Sequence, residues 1–163
     1  NPNDEDDFID EDYSFKDYLR EIVSSFEETS SKDFILNFDQ DVNSKKMTKS
    51  IEIVYGLRNF IGNANKFSNK KVFITLKSDN EKTEVCIEDD GAGYSSDILS
   101  KIGEPYLKSE SYSDKRKTGL GLGIFIGKTL LEKNFASIHC RNSKTKNGAE
   151  VNISWKNKDL LKI

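Results

Sequence analysis

The amino-acid sequence predicts a two-layer α/β sandwich of the α+β class, in which three helices cover one face of a mixed, mostly antiparallel sheet. Segments with apolar residues at helical spacing alternate with short segments in which every second residue is apolar. Two of these strand-like segments, 71–78 and 83–89, flank a short polar turn, as in an antiparallel hairpin. A glycine run at 119–123 does not directly join a strand to a helix, so it does not match the dinucleotide fingerprint of a doubly wound fold.

Apolar spacing defines the remaining elements. In the first helix Tyr18, Ile22 and Phe26 recur at helical spacing, and Ser14 just before it is a residue type that caps helix N-termini. The predicted helices are 15–30, 48–68, 95–102 and 120–133. The further predicted strands are 34–38, 136–142 and 148–155, of which the last two form a closing pair.

The chain's length and charge predict one domain with an acidic linker. A chain of 163 residues is long enough for a single sizeable core and too short for two domains. Residues 1–12 hold seven acids and no bases, which is typical of a solvated linker, so we place the domain at 13–163. Its 25 bases outnumber its 21 acids, a balance that suits an anionic ligand. The bases are scattered, without the basic stripe and interleaved aromatics that indicate nucleic-acid binding.

Other features of the sequence favour the cytoplasm. No signal peptide is visible, and no apolar stretch reaches the roughly 20 residues that cross a bilayer. Cys86 and Cys140 lie in predicted strands, where a buried thiol is more common than a disulfide or a metal ligand. We therefore expect a cytoplasmic domain.

Two glycine motifs and an asparagine-bearing helix predict a nucleotide pocket. Asp89 stands at the end of a predicted strand, where its carboxylate can accept a hydrogen bond from the exocyclic amine of adenine. Gly91 and Gly93 follow it and would let the backbone approach the base without a Cβ in the way. The alternative is that Asp89 only stabilises a turn or a cap. The second glycine motif makes the base contact the better interpretation.

That second motif predicts a phosphate site. Gly119, Gly121 and Gly123 lead into the third long helix, where free N–H groups and the helix dipole favour an anion. The alternative is close helix packing, but each glycine costs about 1 kcal/mol relative to alanine in a helix. A functional role explains that cost better.

Asparagines and lysines complete the predicted pocket. Magnesium prefers oxygen ligands and keeps several waters, so one amide oxygen from Asn63 together with phosphate oxygens suffices to hold it. Asn59 is one turn earlier on the same helix face. Asn63 could instead bond neighbouring backbone groups. Lys66 and Lys108 can neutralise phosphate charge, and Lys108 lies in a polar segment, about 103–118, that we interpret as a mobile lid.

The order of these motifs resembles the catalytic ATP-binding domain of bacterial sensor histidine kinases, within the GHKL ATPase superfamily and its Bergerat fold. The resemblance covers roughly residues 13–156. It implies Mg-ATP beneath a flexible lid and transfer of the γ-phosphoryl group to a histidine on a separate dimerisation domain, and from there to a response regulator. The residues that it implies for ATP binding are Asn59, Asn63, Lys66, Phe67, Asp89, Gly91, Gly93, Ile102, Lys108, Thr118, Gly119, Leu120, Gly121, Leu122 and Gly123. Asn59, Lys66 and Lys108 are implied to be catalytic, and Asn63 is implied to bind magnesium.

Segments 102–106 and 123–133 resemble more narrowly the RegB/PrrB type of redox-responsive kinase. Gly103 stands where most sensor kinases have a phenylalanine, which bears on how the lid docks on the histidine helix. His139, the sole histidine, lies in an apolar strand segment without the context of a phosphoacceptor, so we interpret it as structural. The chain is then expected to be a monomeric fragment of a homodimeric parent, which could be anchored in the inner membrane.

Asn59 distinguishes phosphoryl transfer from hydrolysis. ATP-hydrolysing branches of the superfamily have a glutamate four residues before the magnesium asparagine, where it activates water. An amide cannot accept a proton at neutral pH, so we expect poor hydrolysis. Because His139 is interpreted as structural, the chain alone is expected to show no autophosphorylation. Two alternatives stay open, namely a degenerate nucleotide-binding or docking module without transfer, and a GHKL serine kinase of the anti-sigma type.

Overall fold

The computed structural model describes residues 13–39, 49–102 and 119–163, and for 119–122 it describes the backbone alone. The predicted fold class is confirmed, because these residues form a mixed five-stranded sheet covered by helices on one face. The elements in chain order are α1 (Phe15–Glu27), β1 (Asp33–Phe38), α2 (Ile51–Phe67), β2 (Lys71–Ser78), β3 (Lys82–Asp89), α3 (Ser96–Ile102), α4 (Gly119–Lys133), β4 (Ser137–Asn142), β5 (Ala149–Lys156) and α5 (Asn157–Leu160). The predicted linker at 1–12 and the predicted lid at 103–118 lie outside the described residues.

The strand order is β1-β2-β3-β5-β4. β1 and β2 are parallel, because α2 lies between them in the chain and carries it back to the same edge. The other pairs are antiparallel. β5 thus lies between β3 and β4. The end of β5, at Lys156, is paired with Lys82 beside the β2–β3 turn.

The core lies between one face of the sheet and the helices. Along β2 the buried residues are Val72, Ile74 and Leu76, and the residues between them are partly exposed. The buried positions of β3 alternate in the same way, and so do those of β5 from Val151 onward, whereas its Glu150 is buried as well. The largest fully buried side chains include Trp155, Tyr18 and Phe60. Since the apolar positions share one face, the helices cover that face and leave the other open.

Helix ends depart from prediction at identifiable contacts. Ser14 caps α1 as predicted, in a capping box with Asp17. The helix ends at Glu27, three residues before the predicted end, where the carbonyl of Phe26 accepts the closing N–H groups. α2 begins at Ile51 because Ser50 caps it there. None of the described helices has the length and apolar character needed to cross a membrane.

α5 was not predicted. Its first residue, Asn157, is buried, and its side chain accepts a hydrogen bond from Thr83 and donates one to the carbonyl of Asp79. A short polar segment without apolar periodicity gives no sequence signal for a helix. These contacts with the β2–β3 turn hold the segment in place.

Candidate nucleotide pocket

A cavity lies between α2, the end of β3 and the start of β5. Four residues of the predicted site line it, namely Asn63, Phe67, Asp89 and Gly93. The other lining residues are Phe60, Ala64, Ile87, Ala92, Tyr94, Ala149 and Val151. The wall is therefore mostly apolar, with a carboxylate from the sheet and an amide from the helix, a composition typical of small-molecule sites.

Asp89 ends β3, and it is only 4% exposed. Its Oδ1 accepts hydrogen bonds from the N–H groups of Gly91, at 2.8 Å, and Ala149, at 3.2 Å. Burial raises the pKa of the Asp89 carboxyl, and the two N–H donors offset part of that effect. Both bonds go to Oδ1, so Oδ2 retains its capacity to accept a hydrogen bond from a ligand.

The glycines after Asp89 serve the fold in ways that the sequence did not indicate. A Cβ at Gly91 would lie 2.1 Å from the carbonyl oxygen of Phe67, so this glycine allows the loop to pack against the end of α2. Gly93 lines the cavity and has a φ of +78°, a conformation that favours glycine. Close approach to a base remains a prediction for both.

Asn63 projects from α2 toward α4. Its Oδ1 lies 3.1 Å from the position of a Cβ at Gly123, so any larger residue at 123 would press on this amide. Among the described residues, the buried Nδ2 of Asn63 has no hydrogen-bond partner. An unpartnered buried amide costs about 1–3 kcal/mol, which a bound ligand can relieve. An amide turned to offer its oxygen, with phosphate oxygens and water, fits the needs of magnesium.

Asn59 shares the α4-facing side of α2 with Asn63, as predicted, since its Cβ lies 3.2 Å from the position of a Cβ at Gly127. Its Nδ2 donates to the carbonyl of Tyr55, at 2.8 Å. Lys66 is exposed, with Nζ 5.3 Å from the centroid of the Phe67 ring. Neither Asn59 nor Lys66 lines the cavity.

Several predicted residues lie elsewhere. Ile102 ends α3, packs against the core and does not line the cavity. Lys108 and Thr118 lie outside the described residues. Gly119, Leu120, Gly121 and Leu122 form the start of α4, which begins one residue before its predicted start. The N–H groups of this first turn have no acceptor within the helix, and they belong to the element that Asn63 contacts through Gly123.

Sequence reasoning missed three residues that build the site. Gly148 and Ala149 bring the start of β5 against Asp89, and Asn142 binds the backbone of Tyr94. The Asn-Gly pair at 147–148 marks a tight turn, which was the available signal for Gly148. A lone asparagine at a strand end carries no such signal.

The sequence profile described as histidine kinase-, DNA gyrase B- and HSP90-like ATPase matches residues 48–159. The chain belongs to this family. The predicted membership is thereby confirmed, and it supports an ATP-binding role in two-component signalling.

Curated relatives are sensor kinases. Sensor histidine kinase RegB of Cereibacter sphaeroides is 35% identical over 97 residues, which cover 56% of this chain and 21% of RegB. Sensor protein KdpD of Clostridium acetobutylicum is 32% identical over 131 residues, which cover 76% of this chain and 14% of KdpD. The chain thus spans about a fifth or less of these relatives.

A solved structure shows the same fold. The catalytic domain of histidine kinase ThkA superposes with a TM-score of 0.70 at 21% sequence identity. The match covers 89% of this chain and 95% of the chain in the ThkA structure. The predicted sandwich is therefore the fold of a histidine kinase catalytic domain.

Cys86, His139 and Cys140 do not line this cavity. Both cysteines are free and half-buried, and burial raises the pKa of Cys86 to about 12 and of Cys140 to about 11. The Cys86 thiol donates to Glu88 on the open face of the sheet, at 3.7 Å. His139 is exposed on β4, between Ile138 and Cys140, which pack against the core.

Proposed function

We propose that this chain is the catalytic domain of a sensor histidine kinase, which binds Mg-ATP and donates the γ-phosphoryl group to a histidine on a separate dimerisation domain. The observation that carries the proposal is that Asp89 and Asn63, from two different elements, line one cavity. Family membership supports nucleotide binding. Asp89 suits the base of the nucleotide, and Asn63 suits its phosphates.

The sheet side of the cavity suits the base. The Oδ2 of Asp89 can accept a hydrogen bond from the exocyclic amine of adenine, while Oδ1 is held by two backbone donors. Ile87 and Val151, beside Asp89, and Ala64 on α2 offer apolar contacts to the faces of the ring. Because the backbone bonds fix the orientation of the carboxylate, little ordering cost remains on binding.

The helix side of the cavity suits the phosphates. Asn63 would hold magnesium through its amide oxygen. Its Nδ2 has no partner among the described residues, so the amide can turn to offer that oxygen, which supports this assignment. Magnesium, when bound, neutralises charge on the phosphate oxygens. The N–H groups in the first turn of α4 have no acceptor within the helix and suit an anion. Lys66, beside Phe67 of the cavity wall, adds a positive charge. The same role is proposed for Lys108.

The residues favour transfer over hydrolysis. Asn59 has an amide where a general base would be required, and its Nδ2 is bound to its own helix. His139 faces the open side of the sheet, so it is not placed to accept a phosphoryl group from the cavity. We therefore assign the acceptor histidine to another domain, in a homodimeric parent whose partner is a response regulator. We also propose that this domain works in the cytoplasm, with a parent anchored in the inner membrane.

Two measurements test this function. Isothermal titration of the purified chain should show Mg-ATP binding in the micromolar to submillimolar range, with negligible phosphate release. Adding the parent's dimerisation domain and labelled ATP should place label on its histidine, as an acid-labile phosphate.

The outcomes separate the alternatives. Absence of binding to ATP or its non-hydrolysable analogues would contradict the proposal at its base. Binding without label on the added domain would favour a docking module. Acid-stable label would favour a serine kinase.

A further inference from the structure

We propose that Asn142 is a positioning residue of the nucleotide pocket. It does not line the cavity, but its side chain binds the backbone of the loop that does. The inference rests on the proposed nucleotide site and concerns how one wall of that site is held. It assigns a role to the end of β4, an element that the predicted ATP-binding residues do not include.

Asn142 and Tyr94 exchange two hydrogen bonds. The N–H of Tyr94 donates to Oδ1 of Asn142, at 2.7 Å, and Nδ2 of Asn142 donates to the carbonyl of Tyr94, at 3.0 Å. One side chain thereby satisfies both main-chain polar groups of a residue outside any strand or helix. Because each amide atom has a definite partner, the amide has one preferred orientation.

Gly93 is shaped to admit this amide. A Cβ at Gly93 would lie 2.7 Å from Oδ1 of Asn142, and the backbone there has a φ of +78°. A larger residue would both strain the turn and displace the amide. Gly93 and Tyr94 both line the cavity, so the amide lies directly behind the cavity wall.

The same strand end also holds Asp89. Asn142 is the last residue of β4 and is paired with Ala149 of β5. The N–H of Ala149 donates to the carboxylate of Asp89. Asp89 and Tyr94, at the two ends of the loop, are therefore anchored to one pair of neighbouring residues. This arrangement sets the distance between the carboxylate and the wall formed by Ala92–Tyr94.

Two variants separate the two hydrogen bonds. Asn142→Ala removes both of them. Asn142→Asp keeps an acceptor for the N–H of Tyr94 but leaves its carbonyl facing a carboxylate oxygen. Both variants should lower the affinities for ATP, ADP and adenosine by a similar factor of about ten, because the loop borders the base and not the phosphates. Asn37→Asp, at an exposed position of β1, is the matched control and should change none of these affinities.

Amide exchange of Tyr94 in the nucleotide-free chain tests whether the Asn142 side chain holds this loop. The affinity of the folded fraction is the readout that a merely structural role would not change. Asn142→Ala should speed exchange of that amide at least about tenfold, whereas Asn142→Asp should leave it protected. Thermal melting then shows how much of each chain is folded. If Asn142→Ala does not fold, the Asn142→Asp affinities decide.

Three outcomes would overturn the inference. The first is an unchanged affinity in a folded Asn142 variant. The second is an unchanged Tyr94 exchange rate in Asn142→Ala. The third is a loss of binding that matches only the unfolded fraction, which would make Asn142 purely structural. If the wild-type chain binds no adenine nucleotide, the proposed function fails and this inference fails with it, whereas normal wild-type binding with unchanged variants overturns the inference alone.

Discussion

Gly148 lies directly against Asp89, so that a Cβ at position 148 would be 2.1 Å from Oδ1 and 2.2 Å from the carbonyl oxygen of Asp89. The contact joins the turn before β5 to the end of β3. It allows the N–H of the next residue, Ala149, to donate to the carboxylate. The orientation of Asp89 therefore depends on a residue without a side chain 59 positions away in the sequence.

Gly148→Ala should damage both stability and binding. The added methyl group cannot avoid the backbone of Asp89, so we expect a loss of about 1–3 kcal/mol in the free energy of unfolding, and loss of measurable ATP binding. Urea unfolding and isothermal titration measure the two effects.

Gly62→Ala is the control for this change. A Cβ there would be 3.4 Å from the ring of Phe26, an ordinary contact, and alanine favours a helix by about 1 kcal/mol. If the two variants had the same free energy of unfolding and the same ATP affinity, the contact between Gly148 and Asp89 would be unimportant.

Asp89→Asn should separate binding from stability. Oδ1 keeps its backbone bonds, but a donor replaces the free acceptor, so ATP affinity should fall at least about tenfold. Titration of the variant with ATP measures this, and unchanged affinity would remove Asp89 from the base site.

The pH dependence of stability gives a second test of Asp89. Burial raises the pKa of this carboxyl, so in the ligand-free chain its ionised form costs stability at neutral pH. That cost disappears as the pH falls through the raised pKa of the folded state. Asp89→Asn should thus be as stable as wild type or more so at pH 7, and the difference should shrink in acid, as followed by urea unfolding. A difference that grows in acid would contradict the burial argument.

Asn63→Ala should remove the magnesium dependence of ATP binding and raise the stability of the ligand-free chain. The buried Nδ2 has no partner among the described residues, and alanine is the better helix former, so the ligand-free chain should gain about 0.5–1 kcal/mol. ATP affinity should become insensitive to magnesium, as measured by titration with magnesium and with EDTA. Asn59→Ala, at a position that does not line the cavity, is the control for stability. An undiminished magnesium effect in Asn63→Ala would place the ion elsewhere.

Asn59→Glu should create ATP hydrolysis. A carboxylate on the same helix face as Asn63, one turn earlier, could act as a general base toward water, where the present amide cannot. We expect phosphate release to rise at least about tenfold, measured by a coupled phosphate assay. Asn59→Gln has similar size but no basic group and should remain inactive. If both variants stay inactive, the amide is not what limits hydrolysis.

The local elements follow from the order of residues. Helical spacing located α1 and α2, alternation located β2 and β3, and Ser14 marked the start of α1. The other three strands and α4 were also predicted. Asp89 and Asn63 were identified from motifs, and both reach the cavity. Such features depend on residues within a few positions of one another, so they can be predicted from the sequence.

Long-range pairing decided the rest. The parallel pairing of β1 with β2, and the entry of β5 between β3 and β4, depend on how buried faces match across the whole sheet. That pairing alone brings Gly148 against Asp89 and Asn142 against Tyr94. The folded structure also shows that Gly91 leaves room for the carbonyl group of Phe67. No local pattern encodes these contacts, because each joins segments whose proximity arises only when the shared core closes.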